Sequence, residues 1–173
     1  EWTETPCTTA TPRVLRRPPS ADTVGDSAGD AMVVLPSGTM TGLTGSFSAV
    51  SGLSSEVDGS SNVYSLPGNT TVFHATSACA GASVPANCRG WQQFIFDNAT
   101  GEAYMQYWLL TYNTSCPSGY STYIDPSGVT DCYKNSAGAN TGKWTIGFLP
   151  GMQLAGTASS GGNDEVTLYV DTV

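Results

Sequence analysis

Residues 89–112 read RGWQQFIFDNATGEAYMQYWLLTY. Two apolar, aromatic-rich segments flank the polar stretch Asp97-Asn98-Ala99-Thr100-Gly101-Glu102, a pattern that predicts a β-hairpin. With the turn centred between Ala99 and Thr100, antiparallel pairing sets Trp91 opposite Trp108, Gln93 opposite Gln106 and Ile95 opposite Tyr104. Side chains alternate across a strand, so these residues share one face. The other face carries Phe94 and Phe96 against Met105 and Ala103, with Gln92 near Tyr107 at its end. One face reads as core. The other reads as an aromatic wall with two amides in its middle, suited to gripping a polar polymer, peptide or glycan. Register decides this reading, because a slip of one residue exchanges the faces.

The rest of the chain has the composition that goes with such a hairpin. Its 173 residues suit one domain with a real core. Gly 20, Pro 10 and only 12% charged residues point to short strands and many turns. No long stretch repeats apolar residues at i, i+3 and i+4, so little helix is expected. The apolar run Ala31-Met32-Val33-Val34-Leu35 is strand-length and too short to span a bilayer. Glu1-Trp2-Thr3 reads as a mature start without a signal peptide.

Export is predicted from two features. Acceptor triplets for N-glycans occur at Asn69-Thr70-Thr71, Asn98-Ala99-Thr100 and Asn113-Thr114-Ser115, and Asn98 lies at the hairpin turn, where a glycan would project into solvent. Cys79 and Cys88 bracket a Gly/Pro loop, and Cys116 and Cys132 bracket a Tyr/Gly/Pro loop. Two local disulfides are the simplest pairing, although spacing leaves connectivity open. Each would stabilise the fold by roughly 2–4 kcal/mol. Cys7 is left over, as a free thiol or a bond to another chain. Without a Cys-x-x-Cys motif, and with His74 as the one histidine, no metal site or other cofactor is expected.

A net charge of −8 offers no basic stripe to phosphates, so nucleic acid is excluded as a partner. Arg13, Arg16 and Arg17 cluster in the Pro-rich start and read as part of a solvated tail. Few bases also means few ion pairs to lose in acid, and acid tolerance follows.

Residues 1–30 read as an extended Thr/Pro-rich arm, and 31–173 as an all-β sandwich or jelly roll of the concanavalin-like kind. Strands are predicted at Ala31–Leu35, Gly42–Val50, Asn62–Leu66, the 91–112 hairpin, Lys143–Leu149, Met152–Ala158 and Glu165–Asp171. A disulfide-pinned loop is predicted over 116–132. The last strand, with Val166, Leu168 and Val170, has no following partner, so either strands outside this chain complete the sandwich or it is whole as it stands.

Together GWQQF (90–94), MQYWLL (105–110), CPSGY (116–120), DCYKNS (131–136) and GGND (161–164) resemble a family of secreted proteins of undefined function, over roughly residues 37–170. Members of that family continue beyond the equivalent of Val173. More distantly, the order of elements is similar to that of the glutamic peptidases, acid-acting β-sandwich enzymes. Their early strand resembles residues 43–50, their glutamine-bearing strand resembles Gln93-Phe94-Ile95-Phe96-Asp97, and a later Gly-Asp entry resembles residues 162–166. In that chemistry a glutamate is general base on water and the glutamine amide stabilises the oxyanion. The resemblance implies that Gln93 fills the second role, with Gln106 beside it. The Trp-Ile-Val-Glu type of motif that carries the glutamate is absent here. Of Glu56, Glu102 and Glu165, the last is the nearest substitute, opening the final strand. A companion chain, tethered through Cys7, is one way to supply the missing glutamate.

Three functions fit. The first is a secreted glutamic-peptidase-like acid endopeptidase, or one chain of it, with catalytic Gln93 and Glu165 and a substrate groove of Trp91, Tyr104, Gln106 and Trp108. The second is a lectin-like module that stacks sugar rings on the same wall without turnover. The third is an extracellular assembly protein using its open strand. Other chemistries lack their residues: no Gly-x-Ser-x-Gly elbow accompanies His74, no phosphate loop is present, and Asp97 and Glu102 sit at one turn rather than across a groove.

Overall fold

The structure, a computed structural model, describes residues 23–24, 40–47, 50–52, 55–58, 60–61, 63–74, 77–159 and 161–171. The expected arm at 1–30 apart from Thr23–Val24, the strand Ala31–Leu35, Cys7, the arginine cluster and the Glu56 side chain lie outside the described residues. In chain order the strands are β1 (Thr23–Val24), β2 (Gly42–Ser46), β3 (Ser55–Asp58), β4 (Ser60–Ser61), β5 (Ser65–Asn69), β6 (Arg89–Asp97), β7 (Glu102–Leu110), β8 (Ser121–Ile124), β9 (Thr130–Asn135), β10 (Ala139–Asn140), β11 (Met152–Thr157) and β12 (Glu165–Val170). They form an all-β sandwich. One antiparallel sheet runs β5-β6-β7-β9-β8, with β10 on β7, and the other runs β12-β11-β2. A small extra sheet, β1-β3-β4, pairs β1 parallel to β3.

The β6–β7 hairpin has the predicted register, with Trp91 opposite Trp108, Gln93 opposite Gln106 and Ile95 opposite Tyr104. Gly101 closes its turn at φ 74°, a left-handed conformation open to glycine at little cost. Phe94 and Phe96 point inward and are 2% and 0% exposed. Gly156 on β11 faces Phe94 so closely that any side chain there would enter the ring, which lets the two sheets approach. Around Phe96 the core gathers Tyr64, Ile146, Leu149, Met152 and Leu154, with Val166, Leu168 and Val170 of β12 against it. A second cluster lies where the cysteines meet Leu109 and Tyr112. Cys79–Cys88 and Cys116–Cys132 are the disulfides, the simplest of the pairings open to the sequence. They fit an oxidising, extracellular setting. Among the described residues no helix is long and apolar enough to cross a membrane.

Three sequence expectations need correction. Lys143–Leu149 is not a strand; Ile146–Gly151 forms a 3-10 helix. Pro150 has no N–H for a ladder, and Ile146 and Leu149 are buried at the i, i+3 spacing of that helix. The 116–132 segment is not simply a loop, because it holds β8 and runs into β9. The turn between them was visible in Asp125-Pro126-Ser127-Gly128, where Asp125 Oδ1 accepts from Ser127 N at 2.8 Å and Val129 N at 2.8 Å. The strand expected at Asn62–Leu66 starts later, at Ser65, and runs to Asn69. The hairpin turn brings a further reversal: Asn98 is 2% exposed rather than turned to solvent. Its Oδ1 accepts from Trp144 N at 2.6 Å and ties the turn to the segment before the 3-10 helix. The side chain expected to carry a glycan into solvent is packed inside the fold instead.

Candidate functional site

Alternation along β6 sends Gln92, Phe94 and Phe96 into the sandwich and Trp91, Gln93 and Ile95 to the outside of the larger sheet. Cross-strand register extends that outer face over four strands. One row across it reads Asn69, Gln93, Gln106, Asn135, from β5 through β6 and β7 to β9. The next row, about 7 Å along the strands, reads Trp91, Trp108, Tyr133. On the opposite side of the amides lie Pro67, Ile95 and Tyr104.

The aromatic row is one connected surface. Trp108 stacks on Tyr133 with centroids 4.9 Å apart and meets Tyr123 edge-on at 5.6 Å. Trp91 lies 6.2 Å from Trp108. The Trp91 indole N–H donates to the Thr70 carbonyl at 3.0 Å, which fixes the ring at the β5 edge.

The amide row is oriented by the Trp108 indole. Trp108 Nε1–H donates to Gln93 Oε1 at 3.1 Å and to Gln106 Oε1 at 2.6 Å. An indole nitrogen can only donate, so both glutamine carbonyls must turn toward it and both NH2 groups away. Gln93 Nε2 then donates to Asn69 Oδ1 at 2.8 Å, and Gln106 Nε2 donates to Asn135 Oδ1 at 2.9 Å. The carbonyls converge on one N–H, and the row ends in the Nδ2 groups of Asn69 and Asn135. Gln93, 6% exposed, is committed at both ends of its amide.

Trp91, Gln93, Tyr104, Gln106 and Trp108 thus meet on one face, as the sequence predicts. Glu165 does not join them. On β12, Val166, Leu168 and Val170 pack on the core, so Glu165, paired with Thr157, points out from the other sheet. Gln93 and Glu165 face away from each other across the sandwich, whose sheets stand about 10 Å apart. A catalytic pair of these two residues is ruled out by geometry. The carboxylates that these strands place on the outer face are Asp97, Glu102 and Asp131. Each stands two rows from the amides, about 13 Å along its strand. Asp97 is occupied in the turn, where Oδ1 accepts from Ala99 N at 2.8 Å.

An amide–carboxylate pair does form, but on the inner face. Gln92, 4% exposed, donates from Nε2 to Asp164 Oδ2 at 2.8 Å. Asp164 Oδ1 also accepts from Ser159 N at 3.0 Å, so Gln92 fastens the β11–β12 loop to β6. Beside it, Tyr107 is pushed up to about 12 by burial, with Tyr120 and the Asp164 charge adding. On the outer face Tyr104 is raised by burial and by Asp97 and Glu102, so its hydroxyl stays protonated and able to donate. Burial holds the Asp131 carboxyl above its ordinary range, against the Thr111 N–H that it accepts at 2.7 Å, and Asp125 adds to the rise.

Sequence reasoning missed Tyr133, Asn135 and Tyr123, because 116–132 was read as a loop and the residues after it were given no strand. It used Asn69 only as a glycan acceptor. The alternation of Asp131, Tyr133 and Asn135 was the available sign. Among the described residues no group of His, Cys, Asp and Glu is placed to hold a metal ion. Comparison of the chain with protein-family models, with curated proteins and with solved structures finds no match.

Proposed function

We propose that this chain is a saccharide-binding module of an exported protein, holding an extended glycan on the outer face of β6, β7 and β9 without cleaving it. The observation that carries this reading is the stacked Trp108–Tyr133 pair lying beside a row of oriented amides. Aromatic faces take the C–H faces of sugar rings, and the exposed asparagine amides that end the neighbouring row, Asn69 and Asn135, take hydroxyl groups. The amide carbonyls are held in place by an indole N–H, so the row keeps its orientation before a ligand arrives, which limits the entropy lost on binding. Calorimetry of the purified protein against a panel of soluble oligosaccharides tests this. Binding to at least one class, lost in Trp108→Ala with the fold retained by circular dichroism, is the expected result. A panel with no binder removes the proposal.

A second reading keeps the glutamic-peptidase-like activity, with a companion chain supplying the carboxylate. The side-by-side placement of Gln93 and Gln106 on the aromatic face favours it. The commitment of Gln93 to both Asn69 and Trp108 weighs against it, since its amide already serves the protein. Acid-pH hydrolysis of a denatured protein substrate, abolished by Gln93→Ala, would establish this reading over the first.

A further inference from the structure

Asn69 stands at one end of the amide row and also opens the acceptor triplet Asn69-Thr70-Thr71. Its orientation follows from the indole. Trp108 fixes the Gln93 carbonyl, the Gln93 NH2 therefore faces Asn69, and Asn69 presents Oδ1 to it at 2.8 Å. The amide atom not engaged in that contact is Nδ2, the one that carries an N-glycan. The side chain is exposed, and β5 is an edge strand of its sheet. The backbone there is held firmly: Thr70 N donates to Gln92 O at 2.9 Å, and Thr70 Oγ1 accepts from Gln92 N at 3.0 Å. Thr71, whose hydroxyl the acceptor triplet requires, is exposed.

We propose that Asn69 is an N-glycosylation site whose glycan lies back across Trp91 and Trp108, so that the outer face holds the protein's own sugar. In the transfer, Asn69 Nδ2 bonds to the anomeric carbon of an N-acetylglucosamine. The bond from that carbon to the pyrophosphate of a lipid-linked donor breaks, and one amide proton is lost. The modified amide keeps its carbonyl, so the hydrogen bond from Gln93 survives. That contact holds the modified amide in the row next to the aromatic one, where Trp91 is pinned to Thr70 O, within reach of an oligosaccharide several sugars long. The other acceptors are built differently. Asn98 is buried, and Asn113, exposed like Asn69 and likewise engaged through Oδ1, by Thr130 N at 3.0 Å, sits past the end of β7 and outside the amide row. This inference rests on the reading of the face as a saccharide platform and on export. It adds that the platform is occupied in cis. A tethered ligand acts at an effective concentration in about the millimolar range, so it competes with soluble saccharides of similar chemistry.

The chain secreted from a eukaryotic cell carries the test. Peptide mass spectrometry after enzymatic deglycosylation reads occupancy, and acrylamide quenching of tryptophan emission reads cover over the wall. Thr71→Ala removes the Asn69 acceptor without touching the amide row, and Ser115→Ala removes the Asn113 acceptor as a control. Occupied Asn69, with quenching raised by Thr71→Ala and unchanged by Ser115→Ala, is the expected result. Endoglycosidase trimming of the folded wild type should raise quenching in the same way, which guards against a folding defect in the variant. A bare Asn69 overturns the proposal, and so does an occupied Asn69 whose removal leaves quenching unchanged. Titrating Thr71→Ala with the free N-glycan core separates this from the parent reading. Cover in the wild type without binding in the variant leaves a sugar held only in cis, and the module for external glycans is then the part that fails.

Discussion

The two faces of the β6–β7 hairpin are built from alternate residues of the same strands, yet they are stabilised by different means. The inner face is apolar, with Phe94, Phe96 and Leu109 almost wholly buried, and it holds the sheets together by burial. The outer face is half-open and is held by directional contacts that converge on one indole N–H. The neighbours Gln92 and Gln93 show the contrast most directly. Both are buried, but Gln92 joins β6 to the loop at Asp164, whereas Gln93 links Trp108 to Asn69 within a surface row. Burial alone therefore does not distinguish an amide that ties a loop to the core from one that belongs to a surface row. The partner does.

Substitutions that separate the faces test this contrast. Phe96→Ala should have the largest effect, about 3–5 kcal/mol in chemical denaturation, because it leaves a cavity at a fully buried position. Trp108→Ala should cost less stability than that and remove saccharide binding. Equal stability losses from the two would mean that the outer face is core as well.

The glutamine pair comes next. Gln92→Ala leaves a carboxylate oxygen of Asp164 without its donor and should cost about 1.5–3 kcal/mol, the range for hydrogen bonds to charged groups. Gln93→Ala should cost about 1 kcal/mol, since it breaks neutral contacts only, while loosening Trp108 and weakening binding. Thermal melts together with a binding titration would show a reversed order if Gln93 were the structural member.

The smallest effect concerns pH. Asp131 lies on the outer face beside Tyr123, its pairing partner on β8. Its carboxyl is raised in the folded state, so the fold binds that proton more readily than the unfolded chain does. The stabilisation it contributes is fully present below the ordinary value of 3.8 and is lost as pH rises through the folded value. Asp131→Asn keeps an acceptor for Thr111 N while removing the charge. It should raise the melting temperature slightly at neutral pH, with the gain shrinking to nothing in acid. A gain that persists below that range would point to a cause other than the charge. Asp125 runs the other way: its carboxyl is lowered, first by the Ser127 hydroxyl and then by Val129 N–H. Its contribution is present above the ordinary value and is lost on acidification. It is solvent-exposed, so its share is small.

The readings that held are local ones. The polar turn and the two-residue period of residues 89–112 specify which residues of the hairpin oppose each other and which share a face. Cysteines close in sequence around turn-rich loops pair with each other, as the simplest connectivity has it. The misreadings also have local causes. Apolar residues at 146–149 suggested a strand where Gly147 and Pro150 favour a 3-10 turn, and the turn residues of 116–132 concealed a hairpin.

By itself, then, the sequence determined the all-β class, the central hairpin with its register, and the existence of an aromatic wall carrying two amides. Turn chemistry and side-chain alternation act over a few residues, so they can be read along the chain. Tertiary structure alone decided that Asn69 and Asn135 complete the amide row, that Asn98 turns inward, and that Glu165 points out from the opposite side of the sandwich. These depend on which distant strands become neighbours and on which sheet each strand joins. Non-local pairing is chosen by the burial of the whole core, and no short stretch of residues contains that choice.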